Sequence, residues 1–299
     1  MGVSVGTSVL VGQNIGAGKK DEAERVLGQG YLIMVICALV FSVTIFSFRH
    51  DLLVLSGAVG DIFDLALPYF NIVTIGSILT FVMMITSFAF NCQGDNFTPT
   101  KLFAVSTFVN VVLDPIFIFG YFGFPKLGIA GAAYATLISQ GVFLILALRI
   151  LMGPKMMVSL KLNYLSMRWV SVKRVIDIGF PASLNQVLNP LGFSALMSLV
   201  ASVFLEAGAA AFSIGFRIEF FAFIPAIGFG FGAMAMIGQS IGAGKNDRVR
   251  EILKIAVIYG SGAALFFSLV SFIFSKQIVH IFTTDPLVTK FAIQYFSIV

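Results

Sequence analysis

Between residues 66 and 92 the sequence runs without a single charged side chain, and that run limits the possible folds more than any other feature. About 20 apolar residues carry a helix across the hydrocarbon core of a bilayer. In lipid, only helices and closed barrels satisfy every backbone N–H and C=O group. A barrel strand would alternate apolar and polar residues over about ten positions, and this run does not. Similar stretches fall at about 1–16, 30–48, 101–122, 128–152, 175–205, 207–240, 252–275 and 288–299, separated by charged or Gly- and Pro-rich breaks. Seven of these nine stretches have full length, whereas the first and last look cut. An all-α, polytopic membrane protein is expected. Composition agrees, at 58% hydrophobic and 11% charged over 299 residues, where a soluble domain carries about 25% charged residues. No length remains for a soluble catalytic or nucleotide-binding module, so neither an enzyme nor an organic cofactor is expected. Met1-Gly2-Val3-Ser4-Val5 lacks a basic n-region and reads as helix interior, not as a signal peptide. Cys37 and Cys92 form no spacing pattern, which supports neither a disulfide framework nor a metal site.

The loops set the orientation. One alternate set holds Lys19, Lys20, Arg25, Lys101, Arg149, Lys155, Lys161, Arg168, Lys173, Arg174, Lys245, Arg248, Arg250 and Lys254, and the other only Arg49, Lys126, Lys276 and Lys290. Fourteen against four places the first set in the cytoplasm by the positive-inside rule. The net charge of +5 therefore reports topology and not a nucleic-acid partner. The longest connection, 153–174, is cytoplasmic and reads as a linker between an amino-terminal half, 1–152, and a carboxy-terminal half, 175–299.

The chain also repeats itself. Val11-Gly-Gln-Asn-Ile-Gly-Ala-Gly-Lys19 returns as Ile237-Gly-Gln-Ser-Ile-Gly-Ala-Gly-Lys245, and Tyr69-Phe-Asn-Ile-Val73 returns as Tyr295-Phe-Ser-Ile-Val299, both displaced by 226 residues. Two ungapped matches at one offset imply duplication. Both copies of the Gly-rich motif end a helix that runs inward, so the repeats should share a topology about an axis along the membrane normal, with a cavity between them. The period also predicts a parent molecule of roughly 450 residues, of which this chain would be a part lacking length at both ends. The motif is not a phosphate loop: that needs Gly five residues before the Gly-Lys pair and Ser or Thr after it, and those places hold Gln13 and Lys20, then Gln239 and Asn246. Gly16, Gly18, Gly242 and Gly244 are read instead as helix ends and gate packing, with Asp21 and Glu24 resembling a capping box for the next helix.

An ionisable residue inside a span costs about 2.5 to 3.5 kcal/mol at a helix centre on insertion scales and marks function by default. Asp114 is the clearest, in Asn110-Val-Val-Leu-Asp114-Pro115. Asn110 and Asp114 are i and i+4 and share a helix face, while Pro115 cannot donate to the Val111 carbonyl and predicts a bend. At about 1.5 Å per residue, Asp114 lies roughly 20 Å from the cytoplasmic start of its helix, and Thr136 about 12 Å below the outer end of the next. The two share a depth. Burial favours the neutral carboxyl, so this cluster can hold a proton or coordinate a small hard cation through oxygen. The alternative is a polar clamp between helices that never changes charge. In the second half, Arg217 and Glu219 share a span but point apart at i and i+2, and Glu219 with Phe220, Phe221 and Phe223 could face an organic cation or serve in a structural ion pair. Asn185, with Gln186 and Asn189, either lines a cavity or joins helices.

Taken together, Gly-Gln-Asn/Ser-Ile-Gly-Ala-Gly, Asn91-Cys-Gln93-Gly94-Asp95-Asn-Phe-Thr-Pro99, Asn110-x3-Asp114-Pro115, Gly128-Ile-Ala-Gly131-Ala-Ala-Tyr-Ala-Thr136 and Gly179-Phe-Pro181-Ala resemble the multidrug and toxic compound extrusion (MATE) family over essentially the whole chain. The resemblance implies two six-helix lobes and export of organic cations or other toxic compounds against H+ or Na+ by alternating access, from a monomer in the cell membrane. It places Asn110, Asp114 and Thr136 at an amino-lobe cation site, whose second aspartate belongs to a helix outside this sequence. A lipid-linked oligosaccharide flippase of the same superfamily is the alternative, although that reading asks for a basic cavity and only Arg217 is a mid-span cation. An intramembrane aspartyl protease would need a Gly-x-Gly-Asp segment, which is absent from the sequence.

Overall fold

The protein was analysed as a computed structural model that describes residues 1–298 apart from Ser166, with backbone alone for Ser297 and Ile298. Val299, the last residue of the second repeat match, lies outside the described residues. The helices are α1 (Gly2–Gly16), α2 (Lys20–Ser47), α3 (Arg49–Leu55), α4 (Asp61–Asn91), α5 (Phe97–Phe119), α6 (Ile129–Leu151), α7 (Trp169–Gly242), α8 (Asn246–Ile273), α9 (Ser275–Phe282) and α10 (Pro286–Ile298). Among the described residues there is no strand. At 74 residues α7 is far too long for one crossing; Leu205, at φ 55° and ψ −155°, breaks it into two arms. Six helices, α7 included, are long and apolar enough to span a bilayer.

The predicted duplication is visible in the helix bounds. Lys20 to Ser47 and Asn246 to Ile273 are 226 residues apart at both ends, and α3 and α9 begin at that same offset. The turns agree as well: Gly18 has φ 71° and Gly244 φ 68°, a left-handed conformation that only glycine adopts without strain. Between those turns lie α2, α4, α5, α6 and the two arms of α7, with the short α3 after α2. The expected capping box is not formed. The α2 N-cap is Lys19, without a side-chain cap hydrogen bond, because the Glu24 carboxylate faces residues 159–161 instead of its own helix end. Pro115 lies inside α5, five residues before Gly120 (φ 78°) ends it.

The chain divides into two units, Met1–Phe180 and Pro181 onward. In the first, Leu10, Val11, Leu27, Met34, Ile85, Phe90 and Phe143 form the core, and Val158 and Leu160 join it from the connection after α6 and Val172 and Val175 from the start of α7. Lipid is as apolar as leucine, so helices in it associate through close backbone approach and polar links. Tyr31 donates to Thr86 at 2.7 Å and Ser42 to the Thr74 carbonyl at 2.9 Å, tying α2 to α4, while Ser106 donates to the Ser139 carbonyl at 2.8 Å, tying α5 to α6. A close backbone approach joins α1 to the start of α7: a Cβ on Gly6 would lie 2.2 Å from the Val175 oxygen, and one on Gly179 2.4 Å from the Gly2 oxygen. The second unit has a small core of Ala211, Val279, Val288 and Ala292. Most of its large apolar side chains, Leu265 and Phe266 among them, face outward, as lipid-facing residues do.

Candidate functional site

Two clusters of polar groups sit within the apolar spans, one in each unit. The first is built on α5 and α6. Ser106 anchors α5 to α6 eight residues before Asp114, and the Phe103 ring packs tilted against Phe143 at 4.7 Å between ring centres. Towards the outer side, Gly131 lets α6 close on Phe117, where a Cβ would come within 2.6 Å of the backbone. The helices are thus held together on both sides of Asp114. Asn110 Nδ2 donates to Asp114 Oδ1 at 3.5 Å, the long limit of a hydrogen bond, and both residues are half-buried. Thr136 is also half-buried, and its hydroxyl donates to the Ala132 carbonyl at 2.9 Å. That leaves the lone pairs of Thr136 as acceptors. Among the described residues no hydrogen bond joins Thr136 to Asp114. A carboxylate at arm's length from an amide, with a hydroxyl on the neighbouring helix, has acceptor capacity to spare, as a site that takes up a proton or small cation requires.

Asn71 Oδ1 and Ser77 Oγ, on α4, are shut away from solvent with no hydrogen-bond partner among the described residues, and Thr80 donates to Gln140 of α6 at 3.2 Å. Sequence reading passed over these residues because neutral polar groups scattered in an apolar run carry no charge signal.

The second cluster lies in the second arm of α7. Gly215 there admits the ring of Tyr295, to which a Cβ would come within 2.4 Å, and one turn later Glu219 Oε2 accepts the Tyr295 hydroxyl at 2.6 Å. The pair opens onto a cavity of about 470 Å³, walled by Phe223, Ser268, Phe272 and Phe296 with Glu219 and Tyr295 themselves. That volume lies within the usual range for small-molecule sites, about 300 to 1,000 Å³. Arg217, Phe221 and Asn185 are exposed, and none of them lines this cavity. Tyr295 was legible only as half of the Tyr69/Tyr295 repeat match; nothing in the sequence tied it to Glu219, 76 residues away.

Comparison with known proteins follows from this geometry. A family model described as MatE matches residues 1–116 and 181–299. The probable multidrug resistance protein YoeA of Bacillus subtilis is 30% identical over 290 residues, which is 95% of this chain and 62% of YoeA. The FAD transporter of Shewanella oneidensis is 28% identical over 294 residues, 97% of this chain and 64% of that protein. The chain thus spans a little over three fifths of the length of these curated relatives. The crystal structure of the Vibrio cholerae MATE transporter VcmN in its bent form superimposes with a TM-score of 0.89 at 28% identity, covering 100% of this chain and 66% of that one.

Proposed function

Because the chain belongs to the MatE family, whose members are transporters and not enzymes, we propose that it serves a secondary exporter which moves drug-like organic cations outward against H+ or Na+ by alternating access. A multi-pass protein of the plasma membrane has the ion gradients such an exchange consumes. The observation that carries the reading is Asp114: a carboxyl group in the later part of an apolar 23-residue helix, five residues before its end, with Asn110 one turn before it. When Asp114, aided by Asn110 and Thr136, takes up a proton or cation, a charge within the span is neutralised and α5 repacks against α6 beside Pro115. The Gly-rich turns at Gly16 and Gly18, and at Gly242 and Gly244, end the helices that must shift. Cargo affinity falls and cargo leaves outward. One charge moving inward supplies about 2.3 kcal/mol per 100 mV, which offsets the equal cost of moving a singly charged cargo outward and leaves the coupling ion's own concentration gradient to drive export without ATP.

Cargo is assigned to the second unit. The Glu219 carboxylate and the faces of Tyr295, Phe223 and Phe272 offer a cation both charge and aromatic contact. The relatives' own names include both multidrug resistance and FAD transport, so the choice of cations rests on Glu219 and its aromatic neighbours. A lipid-linked oligosaccharide flippase is not favoured, since Arg217 is exposed and no basic residue lines the cavity. In cells expressing the protein, Glu219→Gln should raise the KM for ethidium efflux about tenfold, equivalent to roughly 1.4 kcal/mol, with the dependence on the ion gradient kept. An unchanged KM would remove Glu219 from the cargo site.

A further inference from the structure

The connection between the two repeats, read from sequence as a linker, is fastened to α2 and α4 over residues 158–164. Glu24, in the second turn of α2, is 0% exposed. Its Oε2 lies 2.5 Å from Lys161 Nζ, and its Oε1 accepts the Ser159 backbone N–H at 3.4 Å. One residue earlier, the Val158 N–H donates to Gln93 Oε1 at 2.9 Å, and Gln93 is itself held by the Ala89 carbonyl. Arg25 and Lys161 both lie over the Tyr164 ring, at 4.9 and 5.5 Å. Gly28 passes under Tyr164 so closely that a Cβ would come within 2.7 Å of its carbonyl oxygen. Val158 and Leu160 are buried in the core. The buried carboxylate also holds the Lys161 ammonium above the usual lysine range, by hydrogen bond first and charge second.

The repeat shows that these residues answer to the connection and not to the Gly-rich turn beside them. At the 226-residue offset Glu24 becomes Arg250, Arg25 becomes Glu251 and Gly28 becomes Lys254, all three exposed, although the turn keeps its glycine geometry in both copies. Nothing in the shared motif therefore requires a buried acid or a glycine there. A buried carboxylate is stable only while paired, and separating it from its partner leaves an uncompensated charge. A flexible tether has no use for one.

We propose that residues 153–165 form a strap latched to the cytoplasmic ends of α2 and α4 by the Glu24–Lys161 ion pair, and that the strap stays seated throughout the transport cycle. The latch stands on the contacts alone; its persistence through transport rests on the exporter reading, and two experiments keep them apart. In inside-out membrane vesicles, trypsin should cut wild-type protein slowly at Lys155 and Arg168. Lys161→Ala changes a half-exposed side chain and leaves Glu24 in place, and it should be cut at least tenfold faster. The exchange Glu24→Lys with Lys161→Glu should recover part of the protection. Cleavage of Lys161→Ala at the wild-type rate would overturn the latch. For the second part, cysteines at 24 and 161, in a Cys37→Ala, Cys92→Ala background, are bridged with a bifunctional thiol reagent and ethidium efflux is followed. Efflux should keep at least half its unbridged rate, whereas arrest by the bridge would show that the strap must leave its seat. Absence of efflux before bridging would count against the exporter reading while leaving the protection result standing.

Discussion

Cells expressing Asp114→Asn should accumulate ethidium to the level of cells without the transporter, with at least a 100-fold loss of coupled efflux and no loss of folded protein. Asparagine keeps the size of the side chain and its reach to Asn110, 3.5 Å away, but it can neither gain a proton nor carry the charge that attracts a cation. A general loss of fold is not expected, because the neutral amide keeps the shape of the side chain and removes a charge that an apolar span carries only at a cost. The two readings of Asp114 therefore diverge. If it is a clamp between helices, asparagine clamps as well and transport continues at the wild-type rate. If it titrates, transport stops while thermal stability holds or rises.

Gly179→Leu should abolish the folded protein, for a reason independent of coupling. A Cβ there would lie 2.4 Å from the oxygen and 2.7 Å from the carbonyl carbon of Gly2, and Gly6 meets the Val175 oxygen in the same crossing. The obstructing atoms are backbone on both sides, so no rotamer change relieves the contact. Overpacking a tight site costs about 1 to 3 kcal/mol and sometimes more, against a total stability of about 5 to 15 kcal/mol. Alanine at 179 should lower the melting temperature in detergent by about 10 °C, and leucine should leave no monodisperse peak in size-exclusion chromatography. Leucine at Gly192, where nothing lies within 4 Å, is the matched control and should be tolerated. Equal behaviour of the two leucine variants would mean that the α1–α7 crossing does not hold the first unit together.

Much of the fold was legible because lipid enforces it. The long spans and the duplication at 226 residues follow from hydropathy and spacing, and the helix bounds repeat at the same interval. The short helices α3 and α9 were not foreseen, since seven- and eight-residue segments after a span merge into its apolar tail. The i, i+4 relation of Asn110 and Asp114 was readable as helical geometry. The Tyr295–Glu219 bond was not, because contacts between distant helices leave no local pattern. Glu24 shows how a local rule misleads: three residues after Asp21 it has capping-box spacing, yet its carboxylate is taken by Lys161, 137 positions further on. The lysines and arginines of the connection were read only as signs of orientation, and part of that charge fastens the strap.

The most direct test of the central claim uses purified protein in proteoliposomes, in which cargo is added and ion movement is recorded with a pH-sensitive or Na+-sensitive dye. The account predicts that an organic cation such as ethidium drives release of H+ or Na+ from the wild-type protein and that Asp114→Asn releases none. Equal release from both proteins, or cargo movement with no ion movement at all, would contradict it.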